Sequence, residues 1–285
     1  MVSRTGSVFR TIGVALLACV SSLSVAEARV VEVVIDRRED VLDGKSFGLA
    51  GAYEKVVGTV RYAVTPDNEY NRAVVDIDLA PVNENGEVEF SGDLYILRPK
   101  ELDRGNGSLF LEIPNRGGKA MLTVLNGARR SVDPTEAADF GDGLMLRQGF
   151  TLAWVAWQSD VPDRDGRMQF RVPAARGVTG LVRGDFVVSE EGKTFWPIGH
   201  VIAGRIGGEE YPVAAPDDPR NVLTVRDRPD SLRQVVPRDD WSFASTEGVV
   251  SGIEYPKGFE VGRIYELVYV SRDPGLVGLG PVAIR

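Results

Sequence analysis

The sequence is poor in the side chains that most catalytic and metal sites use. Its 285 residues contain one cysteine, Cys19, and one histidine, His200. Cys19 lies in an N-terminal segment that we predict to be removed, so the mature chain would carry no thiol, which excludes disulfides, cysteine nucleophiles and thiolate metal sites. A lone histidine is more often a packed or surface residue than a catalytic base. We therefore expect no metal ion and no cofactor.

Basic residues and long apolar runs are also scarce. The chain has 33 Lys and Arg against 41 Asp and Glu, a net charge of −8, and the charges are scattered. Such a chain is not expected to bind nucleic acid or an anionic membrane surface. Beyond the N-terminus no apolar run reaches the roughly 18 residues that a membrane-spanning helix needs, so we expect no stable membrane insertion of the mature chain.

The first 28 residues have the pattern of a signal peptide. Two arginines precede an apolar run at 11–25, and AEA at 26–28 supplies the small residues that a signal peptidase reads. We expect cleavage after Ala28 and a periplasmic or secreted mature chain of residues 29–285. An alternative is lipoprotein processing, because the sequence LLAC that ends at Cys19 loosely resembles a lipoprotein box.

Strand patterns dominate the beginning of the mature chain. The segments 29–36, 54–64, 71–82 and 86–100 are rich in β-branched residues or alternate between apolar and polar side chains. The sequence NENG at 83–86 is a hairpin turn signal. These features predict an antiparallel meander.

A strand–helix–strand pattern follows. The apolar run at 107–115 predicts a strand buried on both faces, 134–149 has helical character, and 150–160 predicts a second buried strand parallel to the first. From about 161 to 260 the pattern is β-rich and irregular, and 262–271 is a strong strand signal before a helix start. The sheet is therefore expected to have a parallel part, as in α/β proteins.

The sequence GKSFG at 44–48 matches the Gly-x-Ser-x-Gly pattern of a serine nucleophile elbow. An elbow needs a buried strand that runs directly into the first glycine, whereas a polar stretch precedes Gly44. Ser46 also precedes the strand–helix–strand pattern and has no nearby base in the sequence. We interpret this segment as a loop in which Phe47 packs inward.

The sequence NRGG at 115–118 is the most informative candidate site. It directly follows a predicted buried strand, and ligands of open α/β sheets gather at such strand ends. Glycines there can leave backbone N–H groups free to bind a developing oxyanion. A plain strand-to-helix turn explains the same spacing equally well.

Several stretches, in order, resemble the N-terminal half of the large bacterial proteins described as alpha/beta hydrolase domain-containing. They are SFGLAGAYEKVVGTVRYAV, NRAVVDIDLAPVNENGEVEFSGDLYILRPK, LFLEIPNRGGKAML, LRQGFTLAWVAWQSDV, LTVRDRPD and GRIYELVYVSRDPGLVGLGPVAIR. In that family the nucleophile serine, its acid and its histidine follow the helix that GLGPVAIR begins. The resemblance thus implies that the triad lies beyond Arg285 and that only Gly117 and Gly118 belong to the site, as an oxyanion loop.

Together these features predict an α/β fold: a partial α/β-hydrolase sheet with N-terminal antiparallel strands and a β-rich insertion at about 161–260. The implied function is that of the N-terminal part of an exported serine hydrolase acting on an ester or similar small molecule, inactive without its triad. An incomplete sheet would also be expected to self-associate. The alternative is a non-catalytic exported β-rich module that holds a polymer on aromatics such as Trp196 and Trp241.

Overall fold

The computed structural model describes four stretches of the chain, residues 28–161, 166–198, 211–246 and 248–285. The first 27 residues of the predicted signal peptide, with Cys19, lie outside these ranges, and so does His200.

The first sheet begins with an antiparallel meander, which confirms the prediction for three of the four segments at the start of the mature chain. Its strands pair in the order β1-β2-β3-β5-β4, and β6 also pairs with β3. The bounds are β1 Arg29–Asp40, β2 Tyr53–Val64, β3 Val88–Pro99, β4 Leu109–Glu112, β5 Thr151–Val155 and β6 Phe170–Arg171. β4 and β5 are parallel, as predicted for these two segments, and the other pairs of this sheet are antiparallel.

Alternating side chains of β2 and β3 build the first hydrophobic core. Tyr62 lies opposite Phe90 in the register, and their rings stack with centroids 5.1 Å apart. Such cross-strand aromatic pairs stabilise antiparallel sheets. Trp154 of β5 is fully buried in the same core and meets Tyr95 edge to face. The period-two pattern of these segments therefore predicts both their strands and their buried side chains.

The predicted α/β fold, a partial α/β-hydrolase sheet, is wrong for the described residues. They are β-rich with mostly antiparallel strands, and their four α-helices are only four to six residues long. The helices are α1 Met121–Asn126, α2 Ala137–Phe140, α3 Leu144–Arg147 and α4 Leu279–Ile284. None of these helices has the length and apolar character required to cross a membrane.

Two glycines explain why the helix predicted at 134–149 is broken into α2 and α3. Gly141 has φ 58° and ψ −134°, and Gly143 has φ 69°, both outside the right-handed helical region. A Cβ atom at Gly141 would lie only 2.1 Å from the carbonyl oxygen of Asn126. The close approach of the two segments thus requires glycine and ends the helix, so no long crossover helix covers the sheet.

The strand predicted at 71–82 is also wrong. This segment forms successive turns and a short 3-10 turn at Ile77–Leu79. The Asn71 amide donates to the carbonyl oxygen of Thr65, and Val74 N–H donates to the carbonyl oxygen of Asn71, so local bonds replace ladder bonds. Val74 and Ile77, three residues apart, are the side chains that enter the core.

β4 lies at the edge of the sheet and is not buried on both faces as predicted. Leu109 is 62% exposed and Phe110 40% exposed, and Leu111 is exposed as well. An apolar run in the sequence does not distinguish a central strand from a strand at the edge of a sheet. Among the described residues, β4 is such an edge strand. Its continuous apolar character therefore predicts the strand but not its surroundings.

Residues 179–272 form most of a second layered unit with its own core. Two antiparallel sheets, β10-β9-β13-β7 and β11-β12-β8, enclose buried aromatic and aliphatic side chains. The bounds are β7 Thr179–Val187, β8 Phe195–Pro197, β9 Val222–Arg226, β10 Gln234–Val235, β11 Ser242–Thr246, β12 Val249–Glu254 and β13 Ile264–Arg272. The strong strand signal at 262–271 is confirmed as β13, and the helix start after it as α4.

Candidate functional site

The NRGG loop follows β4 at the carboxyl end of the parallel β4–β5 pair. Asn115–Gly117 forms a distorted 3-10 turn in which Arg116 has φ 49° and Gly117 has φ 65°. Gly117 packs directly on the backbone of Met168, whose N–H donates to the Gly117 carbonyl oxygen at 3.1 Å. A Cβ atom at Gly117 would lie 2.5 Å from the Met168 carbonyl oxygen, so both the φ angle and the close approach require glycine.

Glu112, the last residue of β4, holds the far end of this loop. Its carboxylate accepts hydrogen bonds from the N–H groups of Ala120, at 3.1 Å, and Met121, at 2.8 Å. It also accepts the indole N–H of Trp154 on β5. These bonds satisfy N–H groups at the start of α1 that would otherwise lack helical partners. The Glu112 carboxylate therefore joins the end of β4, before the loop, to the start of α1, after the loop.

The N–H groups of the loop are largely engaged within the protein. Arg116 N–H donates to Gln158 Oε1 at 2.6 Å, and Gly118 N–H donates to the Asn115 carbonyl oxygen at 3.1 Å. An oxyanion hole needs donors that point at the position of the developing charge. Gly118 could serve in this way only by exchanging its bond to Asn115 for one to a ligand. The assignment of Gly117 and Gly118 as oxyanion residues stays a prediction.

A cavity of about 160 Å³ lies next to the loop, and Lys119, the residue after Gly118, is part of its wall. Arg167 and Met168, which contact the loop, line it together with other charged and aromatic side chains. The side chains that carry polar groups into its wall are Arg37, Asp93, Tyr95, Lys119, Asp133 and Arg167.

Lys119, the residue after the NRGG sequence, is the most unusual member of this wall. It is only 3% exposed, and its ammonium group donates to the carbonyl oxygens of Val132 and Gly166. The ammonium also lies 4.4 Å from the ring centroid of Tyr95, a cation–π geometry. Burial lowers the pKa of Lys119 to about 8, with Asp133 opposing that effect.

Asp133 connects the cavity to the first strands of the sheet. Its carboxylate accepts the Tyr95 hydroxyl at 3.3 Å and pairs with Lys55 at 3.3 Å and Arg37 at 3.4 Å. Burial, with the Asp133 charge as a smaller cause, raises the pKa of Tyr95 well above its usual value. Through Asp133, this network joins β1, β2 and β3 to the chain segment whose Val132 carbonyl oxygen accepts a hydrogen bond from Lys119. Sequence reasoning missed it, because its members are spread over 97 residues and no local pattern relates them.

Ser46 lies in a surface loop, in agreement with the interpretation of GKSFG as structural. Its hydroxyl donates to the Gly48 carbonyl oxygen at 3.5 Å, and no acid–base partner contacts it in the described part of the chain. Phe47 is buried, as predicted, and meets the ring of Tyr53 edge to face. A cavity of about 230 Å³ borders Ser46, but its wall holds no histidine.

The two tryptophans considered as a polymer-binding surface are packed in the second core. Trp241 is 3% exposed, and Trp196 stacks on Phe186 with ring centroids 4.6 Å apart. Arg238 covers the Trp241 ring from outside, 4.3 Å from its centroid. Trp241 is therefore buried in the core, and Trp196 is partly buried with one ring face on Phe186.

Neither a metal-binding cluster nor a similar known protein points to a function for the described residues. Across the four described stretches, no group of three or more His, Cys, Asp or Glu side chains is arranged to hold a metal ion. No family model, curated protein or solved structure matches the chain.

Proposed function

We propose that this chain is the oxyanion-loop part of an exported serine hydrolase that cleaves ester-like bonds. In this proposal residues 28–285 supply the oxyanion loop, and the three residues of the catalytic triad (serine nucleophile, acid and histidine) are not among them. The observation that carries the proposal is the NRGG loop, which stands at the carboxyl end of edge strand β4 and is closed by Glu112. In open α/β sheets, ligands bind at the carboxyl ends of parallel strands, and β4 and β5 are the parallel pair of this sheet.

The free edge of β4 supports the same proposal. β4 is paired only with β5 among the described strands, and its apolar side chains are exposed. An additional strand along this edge would cover those side chains, and it would bring its own terminal loop beside Gly117 and Gly118. A nucleophile on that loop would face the glycine N–H groups, the arrangement that acyl transfer requires.

The alternative, a non-catalytic binding module, has less support. Its proposed surface depended on exposed Trp196 and Trp241, and these rings are packed against Phe186 and Arg238. The hydrolase proposal uses a loop whose shape is maintained by specific contacts, whereas the two aromatics named for the binding module are buried or partly buried.

Ester hydrolysis by two preparations tests the proposal. The 285-residue chain alone should give no turnover of p-nitrophenyl acetate or butyrate above buffer. The chain joined to the sequence encoded after Arg285 should give turnover that a serine-directed phosphonate abolishes. Ser46→Ala in the active preparation is the control and should change the rate by less than about twofold, whereas loss of a nucleophile costs about 10³- to 10⁶-fold.

Two results would contradict the proposal. Phosphonate-sensitive hydrolysis by the 285-residue chain alone would place the nucleophile within it. Absence of a Gly-x-Ser-x-Gly sequence within about one hundred residues after Arg285 would remove the proposed nucleophile and favour the binding module.

A further inference from the structure

A buried carboxylate lies on the outer face of the second unit, away from its core. Tyr265 and Leu267 of β13 point into the core, so Glu266 between them points to the opposite face of the sheet. Glu266 is nevertheless only 6% exposed. Because an isolated buried carboxylate is costly, its surroundings must supply positive charge.

Three arginines from three other places in the unit surround Glu266. Arg233 binds it with two bonds, of 2.8 and 3.0 Å, in the fork geometry typical of a guanidinium–carboxylate pair. Arg226 of β9 approaches to 3.4 Å and Arg183 of β7 to 3.3 Å, both at the same oxygen, Oε2. Principally Arg233, and then Arg183 and Arg226, keep the pKa of Glu266 below its usual value, so the carboxylate is ionised at neutral pH.

The cluster contains more positive charge than Glu266 can balance. Asp185 lies opposite Glu266 in the sheet register and shares this face, so three guanidinium groups meet two carboxylates. One positive charge is left over in a protein whose net charge is −8. Arg226 is nine-tenths buried, and its Nε has no hydrogen-bond partner among the described residues. An unsatisfied charged donor of this kind is destabilising unless an acceptor is supplied.

Apolar side chains border the arginines on the same face. Thr224 of β9 lies opposite both Glu266 and Val235 in the strand register, so Val235 is on the same face as Glu266. Val187 of β7 lies opposite Ile264, two residues before Glu266, and is on this face as well. Val235 and Val187 are at least half exposed, and Ile264 is partly exposed. The face thus combines one uncompensated positive charge with open hydrophobic surface.

We propose that this face binds a carboxylate group joined to an apolar body. Arg183 and Arg233, whose guanidinium groups are exposed, would contact the carboxylate, and Arg226 would support them from the buried side. The apolar body would lie on Val187 and Val235. The carboxylate can come from a free organic acid or from an acidic peptide, since both present the same group.

Binding of hexanoate, measured by calorimetry and by ligand-observed NMR, tests this proposal. Hexanoate should bind, hexanol should not because it lacks the charge, and inorganic sulfate should bind more weakly because it lacks the chain. Arg183→Gln and Arg233→Gln should each weaken hexanoate binding about tenfold, the effect of one charge-assisted hydrogen bond. Arg61→Gln is the matched control, because Arg61 is an exposed arginine paired with Glu32 on the first sheet.

The source of the carboxylate is distinguished by a second probe. A short peptide with one glutamate between two leucines is titrated in the same way, and the probe that binds more tightly identifies the source. Circular dichroism and the melting temperature show that each variant is folded. Hexanoate and peptide affinities that are unchanged in both cluster variants, or no binding of either probe to the wild-type chain, would overturn the site. Sulfate binding as tightly as hexanoate would overturn its apolar part.

Discussion

Gly118 offers the sharpest residue-scale test of the oxyanion loop. Its φ of −79° is close to the value that proline imposes, so Gly118→Pro keeps the backbone angle but removes the N–H group, and with it the bond to the Asn115 carbonyl oxygen. In an active preparation we expect kcat to fall by about 10²-fold or more, because one oxyanion donor is lost. Ester hydrolysis under saturating substrate measures the change.

Gly118→Ala is the matched control, since it keeps the N–H group and places its Cβ 3.3 Å from the Asn115 carbonyl oxygen. It should retain most of the activity. Equal kcat values for the proline variant and wild type would refute the role of Gly118. Gly117 does not suit this test, because its φ of 65° and its contact with Met168 make any side chain disruptive in itself.

Lys119 predicts a pH dependence of stability. The pKa of Lys119 is about 8 in the folded protein, against an ordinary value of 10.5. Between pH 8 and pH 10.5 the Lys119 amine is therefore protonated in the unfolded chain and mostly neutral in the folded protein. Stability linked to Lys119 therefore rises as the pH increases from 8 to 10.5, and below pH 8 its burial as a cation is a cost.

Denaturant unfolding of wild type and Lys119→Met measures this effect. The stability of wild type relative to the variant should increase across that window by up to about 3 kcal/mol. The tyrosines are common to both proteins, so most of their ionisation cancels in the difference. Lys100→Met, which removes an exposed lysine after β3, is the control and should leave the shape of the wild-type curve unchanged. A pH-independent difference for Lys119→Met would show that burial does not perturb this ammonium.

Sequence reasoning located the NRGG loop but not its neighbours. The glycines and their position after an apolar run are local signals, and they are what singles out this segment; its role stays a prediction. The cavity next to it depends on Lys119 meeting Tyr95, whose hydroxyl binds Asp133, and these contacts are a property of the sheet register and of a long loop. No spacing rule relates such distant residues.

At the scale of elements, the open edge of β4 predicts self-association of the isolated chain. An unpaired strand edge with exposed apolar side chains is a template for another strand. We expect concentration-dependent association in sedimentation velocity, and Leu111→Lys should reduce it by placing a charge on the edge. Val124→Lys, on the exposed surface of α1, is the control and should associate like wild type. A wild-type chain that stays monomeric at all concentrations would contradict this prediction.

The strands were predictable where β-branched runs or alternating side chains mark them, whether the strand is exposed, as β1 is, or buried, as β13 is. β1, β2, β3 and β13 follow period-two or β-branched patterns, and their bounds lie within a few residues of the predicted ones. The failures have separate physical causes. Asn71 replaces ladder bonds with local ones, and Gly141 brings two backbones too close for a helix to continue. Composition alone contains neither effect.

At the scale of the whole molecule, export is the property that the sequence predicts most directly. We expect the mature chain to begin at Arg29, the first residue of β1, when the protein is recovered from the periplasm or medium. N-terminal sequencing checks this, and Ala28→Lys should block processing, whereas Ala52→Lys serves as a charge control outside the signal. An intact Met1 or a lipid on Cys19 would refute cleavage at this site.

The two edges of the first sheet differ, and this difference limits what an assembly can be. β1 has register shifts at Val30/Glu32 and at Ile35/Arg37, and its second half, from Asp36 to Asp40, is charged. Bulges and charges discourage further pairing. Among the described strands of the first sheet, the β4 edge is then the one available, and two copies joined there use the same surface twice. Such a contact is isologous and closed by a two-fold axis, so association through the first sheet should stop at a dimer.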